Sequence, residues 1–69
     1  MLPKATALLS EIQRLADPDG LVSELPLFDV TDGSSEALKD LLDELEEAGF
    51  VQREASDRVR LTARGRAAA

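Results

Sequence analysis

The chain has 69 residues, room for one domain, and its 43% hydrophobic content is that of a globular rather than a disordered protein. It contains neither Cys nor His, which excludes disulfides and thiolate chemistry and removes the commonest general base and metal ligand. The formal charge of −6 is unevenly spread: residues 1–51 carry a net −9, and residues 52–69 a net +3 through Arg53, Arg58, Arg60, Arg64 and Arg66. An acidic body with a basic C-terminal end suits an oriented encounter with a charged partner, although solubility alone also favours an acidic excess.

In chain order, Ala5, Leu8, Leu9, Ile12, Leu15 and Ala16 fall at helical spacing and predict a first helix over residues 4–16. Asp17-Pro18-Asp19-Gly20 ends it, because proline restricts the residue before it and lacks a donor. Residues 22–30 predict a short buried helix or turn, with Ser23 as a cap and Pro26 in the first turn. Leu21-Val22 as a short strand is the alternative. Thr31-Asp32-Gly33-Ser34 is a turn by composition.

Ala37, Leu38, Leu41, Leu42, Leu45 and Ala48 form one apolar stripe and predict a helix over 35–48, opened by Ser34 or Ser35. Gly49 stands where a left-handed residue closes a helix. The period then changes to two, giving strands at 50–54 and 58–62 around Ala55-Ser56-Asp57. Val59 and Leu61 share one face of the second strand, and Arg58, Arg60 and Thr62 the other. Thr62 is placed to cap a last turn over residues 63–69, in which Gly65 permits a close approach. The fold expectation is therefore α+β and mostly helical, with three helices and a two-stranded hairpin.

Nothing in the pattern points to an enzyme. Asp40/Glu44 and Asp43/Glu47 stand one turn apart, but an acid/base carboxylate pair needs a cleft and a shielded member. Calcium-loop spacing fails around both Gly20 and Gly33, and no serine has a histidine to activate it. No cofactor and no metal are expected. No apolar run approaches the roughly 20 residues that cross a bilayer, and the N-terminus does not read as a signal peptide, so no membrane association is expected and a cytoplasmic location is.

Two segments carry a family resemblance. Leu41-Leu42-Asp43-Glu44-Leu45-Glu46-Glu47-Ala48-Gly49-Phe50-Val51-Gln52-Arg53 resembles the LLxxLEExGLV-x-R run that ends the recognition helix and enters the wing in winged helix-turn-helix transcriptional regulators. Leu61-Thr62-Ala63-Arg64-Gly65-Arg66 is similar to the LTxxGR close of the wing in regulators of the multiple-antibiotic-resistance type. The resemblance is best over residues 36–66 and extends back to residue 5. It implies that the hairpin is a wing, that the helix over 35–48 meets double-stranded DNA, and that the protein works as a homodimer on a two-fold site.

The contact residues so implied are Ser35, Lys39, Arg53, Arg58, Arg60, Arg64 and Arg66. The other reading is a protein-interaction domain, or a nucleic-acid mimic, that sets Glu36, Asp40, Asp43, Glu44 and Glu47 against a basic partner surface. The helix has one exposed cation against six acids, the wrong sign for phosphate, so the arginines have to supply the grip. Alternatively they balance the acidic helix, or the acids suit a high-salt environment. A homodimer would use the first helix, Leu2 and the alanine-rich tail.

Overall fold

The computed structural model describes residues 3–68. Helix α1 (Pro3–Leu15) leads through a tight loop to strand β1 (Leu21–Ser23), then to a 3-10 helix (Leu25–Thr31) and helix α2 (Ser35–Glu47). Strands β2 (Val51–Ala55) and β3 (Arg58–Leu61) follow as a hairpin, and helix α3 (Ala63–Ala67) closes the chain. It is a small, mostly helical α+β fold.

Both alternatives for residues 21–30 are realised, one after the other. Leu21–Ser23 pairs antiparallel with β3, Leu21 opposite Arg60 and Ser23 opposite Arg58, so the sheet has three strands in the order β1-β3-β2. The two-stranded expectation is corrected accordingly: the hairpin is not free-standing, because its second strand is the centre of a sheet. Ser23 ends β1 and its Oγ accepts the Leu25 N–H at 3.3 Å, while Glu24, the residue before the 3-10 helix, makes no side-chain cap. The backbone N–H of Glu24 donates to Asp57 O at 2.8 Å, tying the start of the 3-10 helix to the hairpin tip.

One apolar core joins the elements. Ala5, Leu8, Leu9 and Ile12 from α1 meet Leu38, Leu41, Leu42 and Leu45 from α2, with Val22, Leu27, Val51, Val59 and Leu61 beneath. Phe28 and Phe50 are half-buried against this core. Leu25 departs from the expected burial: it is 76% exposed.

Helix boundaries follow from local chemistry. Ser34, not Ser35, caps α2, its side chain accepting the Ala37 N–H at 3.2 Å. Ser35 is then the first helical residue and its hydroxyl is left exposed. At the far end Gly49 adopts φ +83°, with its N–H on Glu46 O and the Phe50 N–H on Leu45 O, both at 3.0 Å. This left-handed closure satisfies two otherwise orphaned helix carbonyls and sends the chain straight into β2.

Thr62 caps α3 by accepting the Gly65 N–H at 3.0 Å, while its Oγ1 donates to Gly49 O at 2.6 Å. One hydroxyl thus joins the end of α2 to the start of α3. We expect Thr62→Val to cost on the order of 2 kcal/mol through the lost cap and the unpaired Gly49 carbonyl, read as a shift of the urea midpoint at unchanged slope.

Gln13 of α1 donates to Gly65 O at 2.8 Å and to Ala68 O at 2.7 Å, so α3 is held against α1. The dimerisation expectation rests partly on Leu2, which lies outside the described residues, as does Ala69 at the end of the tail.

Candidate nucleic-acid interface

The arginines grouped together by sequence take separate places in the fold. Alternation along β2 puts Arg53 on the same side as buried Val51, with its backbone opposite Val59. Its guanidinium therefore turns toward α2 rather than outward. Nη2 pairs with Asp43 Oδ1 at 2.9 Å and donates to Lys39 O at 3.0 Å. The backbone N–H of Arg53 donates to Glu46 Oε2 at 3.3 Å, which covers part of the free edge of β2. Arg53 acts as a clasp between hairpin and helix.

Arg58 and Arg60 lie on the outer face of the sheet, as expected, but differ in engagement. Arg60 Nε donates to Glu54 Oε1 at 2.6 Å, and Nη1 to Asp19 O at 2.9 Å. The Glu54 carboxylate holds the Arg60 guanidinium pKa above its ordinary value. Arg66 Nη2 donates to Pro18 O at 3.0 Å, so Arg60 and Arg66 converge on consecutive carbonyls of the loop that ends α1. The Arg64 guanidinium stands 5.7 Å from the centroid of the Phe50 ring, within cation–π range. Arg58 is exposed at the hairpin tip, and its side chain has no hydrogen bond or ion pair among the described residues.

On α2, Ser35 and Lys39 are exposed one turn apart on its N-terminal half. They line a groove of about 260 Å³ with Glu24, just before the 3-10 helix, Phe28 within it, and Arg53, Ala55 and Ser56 from the hairpin. Of the contact residues implied by resemblance, Ser35, Lys39 and Arg53 therefore meet at one place. Arg58 adjoins it through Ala55, its partner in the strand register. Arg60, Arg64 and Arg66 do not join this group. Period-two alternation from Val51 already carried the signal that Arg53 turns inward; nothing local carried the partners of Arg60 and Arg66, which are loop carbonyls distant in sequence.

The acidic residues of α2 are spread around its exposed surface. Glu36, Asp40 and Glu47 are exposed, Glu44 is half-buried, and Asp43 is committed to Arg53. Exposed ion pairs of this kind contribute ~0–1 kcal/mol each. Glu24 differs. It is half-buried, its carboxylate has no hydrogen bond or ion pair among the described residues, and burial raises its pKa above the ordinary value despite the nearby Arg53 charge.

A carboxyl whose folded pKa lies above its unfolded one favours the fold when protonated. That contribution is present in acid and is lost as pH rises from the unfolded pKa through the raised folded one. Glu24→Gln should therefore leave the melting temperature unchanged or higher at neutral pH, and the gain should vanish in acid. Thermal melts across a pH series check this, and a lower neutral-pH melting temperature for the variant would contradict it.

No helix among the described residues is long and apolar enough to cross a membrane, and no group of three or more metal-ligating side chains occurs among them. Comparisons with family models, with curated proteins and with solved structures give no match to this chain.

Proposed function

We propose that the chain is a winged helix-turn-helix domain that binds double-stranded DNA in the manner of a transcriptional regulator. In this reading α2 is the recognition helix and the β2–β3 hairpin is the wing. The observation that carries it is the placement of two cations whose side chains have no hydrogen-bond or ion-pair partner among the described residues. Lys39, on the N-terminal half of α2, and Arg58, at the hairpin tip, adjoin one groove, the arrangement expected for a helix end in a major groove and a wing against the flanking backbone. The exposed Ser35 hydroxyl supplies a further phosphate donor.

The contact set is smaller than the arginine count suggests. Ser35, Lys39 and Arg58 carry it, while Arg53 holds hairpin to helix, Arg60 and Arg66 hold the loop after α1, and Arg64 covers Phe50. A footprint of about three phosphates gives a log–log salt slope near −2.7 and roughly a 40-fold loss of affinity between about 50 and 200 mM salt. Fluorescence anisotropy against mixed-sequence duplex at several salt concentrations measures it. A flat salt response, or no binding at low salt, would refute the reading.

A second reading is favoured by a different observation. Four of the five C-terminal arginines are already engaged within the molecule, whereas Glu36, Asp40 and Glu47 remain exposed along α2. That surface suits a basic protein partner, with α2 as the docking helix.

A further inference from the structure

Besides Ser35 and Lys39, the groove next to α2 has lining that DNA contact does not use. Its floor is apolar, made by Phe28, Leu38, Leu42 and Ala55. Its polar lining carries both signs, with Glu24 on one hand and Lys39 and Arg53 on the other. Within this small space several polar groups are unmet among the described residues. The Glu24 carboxylate is half-buried without a partner, the Lys39 ammonium makes no ion pair, and Arg53 Nε is buried without an acceptor. Burial of the Glu24 carboxylate and of Arg53 Nε without partners costs free energy that a complementary ligand recovers. The exposed Lys39 ammonium adds an unpaired charge at the same lining.

Charge decides the class of occupant. A simple carboxylate would meet Lys39 and Arg53 but would also face Glu24. A simple amine would meet Glu24 but would face Lys39 and the Arg53 guanidinium, whose charge Asp43 already balances in part. Only a ligand carrying both charges answers both sides, and the floor adds a place for an apolar substituent. The volume of about 260 Å³ lies just below the usual range of ligand cavities, roughly 300 Å³ and upward, so the occupant is small.

We propose that this groove binds a free α-amino acid with an apolar side chain. Its carboxylate is directed to Lys39 and the Arg53 guanidinium, its ammonium to Glu24, and its side chain to Phe28, Leu38 and Leu42. The Ser35 and Ser56 hydroxyls stand at the same lining and offer further hydrogen bonds. The occupant sits between α2 and the hairpin, the two elements assigned to DNA contact above, but its binding does not depend on that assignment.

The test is a titration of the ¹⁵N-labelled protein with L-leucine, followed by amide chemical shifts in the absence of DNA. Two truncated probes accompany it: 4-methylpentanoate, which lacks the amine, and 3-methylbutan-1-amine, which lacks the carboxylate. Saturable shifts centred on Ser35, Lys39, Ala55 and Ser56 are expected with leucine, at an affinity on the order of 1 mM, given the few contacts available. Each truncated probe should bind at least about tenfold more weakly, since each leaves one charge of the groove unanswered.

Glu24→Gln should weaken leucine without weakening 4-methylpentanoate. Equal affinity for all three probes on the native protein would overturn the proposal, as would shifts centred elsewhere or no saturation by about 20 mM leucine. The three-probe comparison stands without the variant, and DNA binding, read separately by anisotropy, can fail or succeed independently.

Discussion

Gly65→Ala is expected to lower the melting temperature by more than about 10 °C, although helix propensity alone would favour alanine by roughly 1 kcal/mol. Gly65 is buried in α3, and a Cβ built there would collide with the carbonyl oxygen of Phe50 and stand 2.6 Å from Leu61 Cδ1. The first obstacle is backbone. It cannot rotate away, because Phe50 is fixed by the left-handed closure at Gly49 and its carbonyl accepts the Thr62 N–H at 3.0 Å.

Relief requires α3 to lift from the hairpin base, which would break the Thr62 cap and the Gln13 bonds together. Overpacking typically costs about 1–3 kcal/mol, and an immovable carbonyl puts this case at or beyond the upper end. A domain of this length has only about 3–10 kcal/mol in total. Gly33→Ala is the control: its φ of +83° brings strain, but nothing lies within 4 Å of the added Cβ. Circular-dichroism melts of both variants compare them directly, and a Gly65→Ala variant as stable as the native protein would show that α3 is not seated as described.

The second large effect concerns charge. Under the DNA-binding reading, replacing Lys39 and Arg58 by Glu together should reduce duplex affinity on the order of 100-fold at low salt and lower the salt slope by about 2, since that reading loses two phosphate contacts and gains repulsions. Neither side chain has an intramolecular partner among the described residues, so the fold should be unaffected. Neutralising Glu36, Asp40 and Glu47 as Gln, Asn and Gln should tighten DNA binding modestly by removing repulsion. Under the protein-partner reading the two sets exchange roles: the acidic triple variant loses its partner and the cation double variant keeps it. Anisotropy with labelled duplex, alongside a pull-down with polycationic peptide, separates the readings. The arginines that serve the fold behave differently again. Arg60→Ala and Arg66→Ala should leave the salt slope unchanged, because their guanidinium groups are used on Asp19 and Pro18 carbonyls.

Several features were legible from local pattern because their causes are local. The α2 stripe from Leu38 to Leu45 is a periodicity of one helix. Gly49 is recognisable because a helix must end on a residue that tolerates a left-handed backbone. Thr62 and Gly65 announce themselves as a cap and a close approach. The hidden features depend on partners far along the chain or on backbone conformations that residue letters do not show. Leu-Val-Ser at 21–23 is too short to show a period, and only β3 makes it a strand. Ser34 and Ser35 are equivalent as letters, and the left-handed Asp32 and Gly33 before them set which one caps α2.

The site divides along the same line. The sequence by itself determined that this protein has an acidic amphipathic helix, an arginine-bearing hairpin and a glycine at the link between them, because spacing, period and residue chemistry act over a few residues. Which arginine clasps α2, which ones bind the loop after α1 and which one remains free was decided only by the tertiary structure. So was the groove between helix and hairpin. A long guanidinium takes whichever acceptor the packed chain brings within reach, and that proximity exists only once the core has formed.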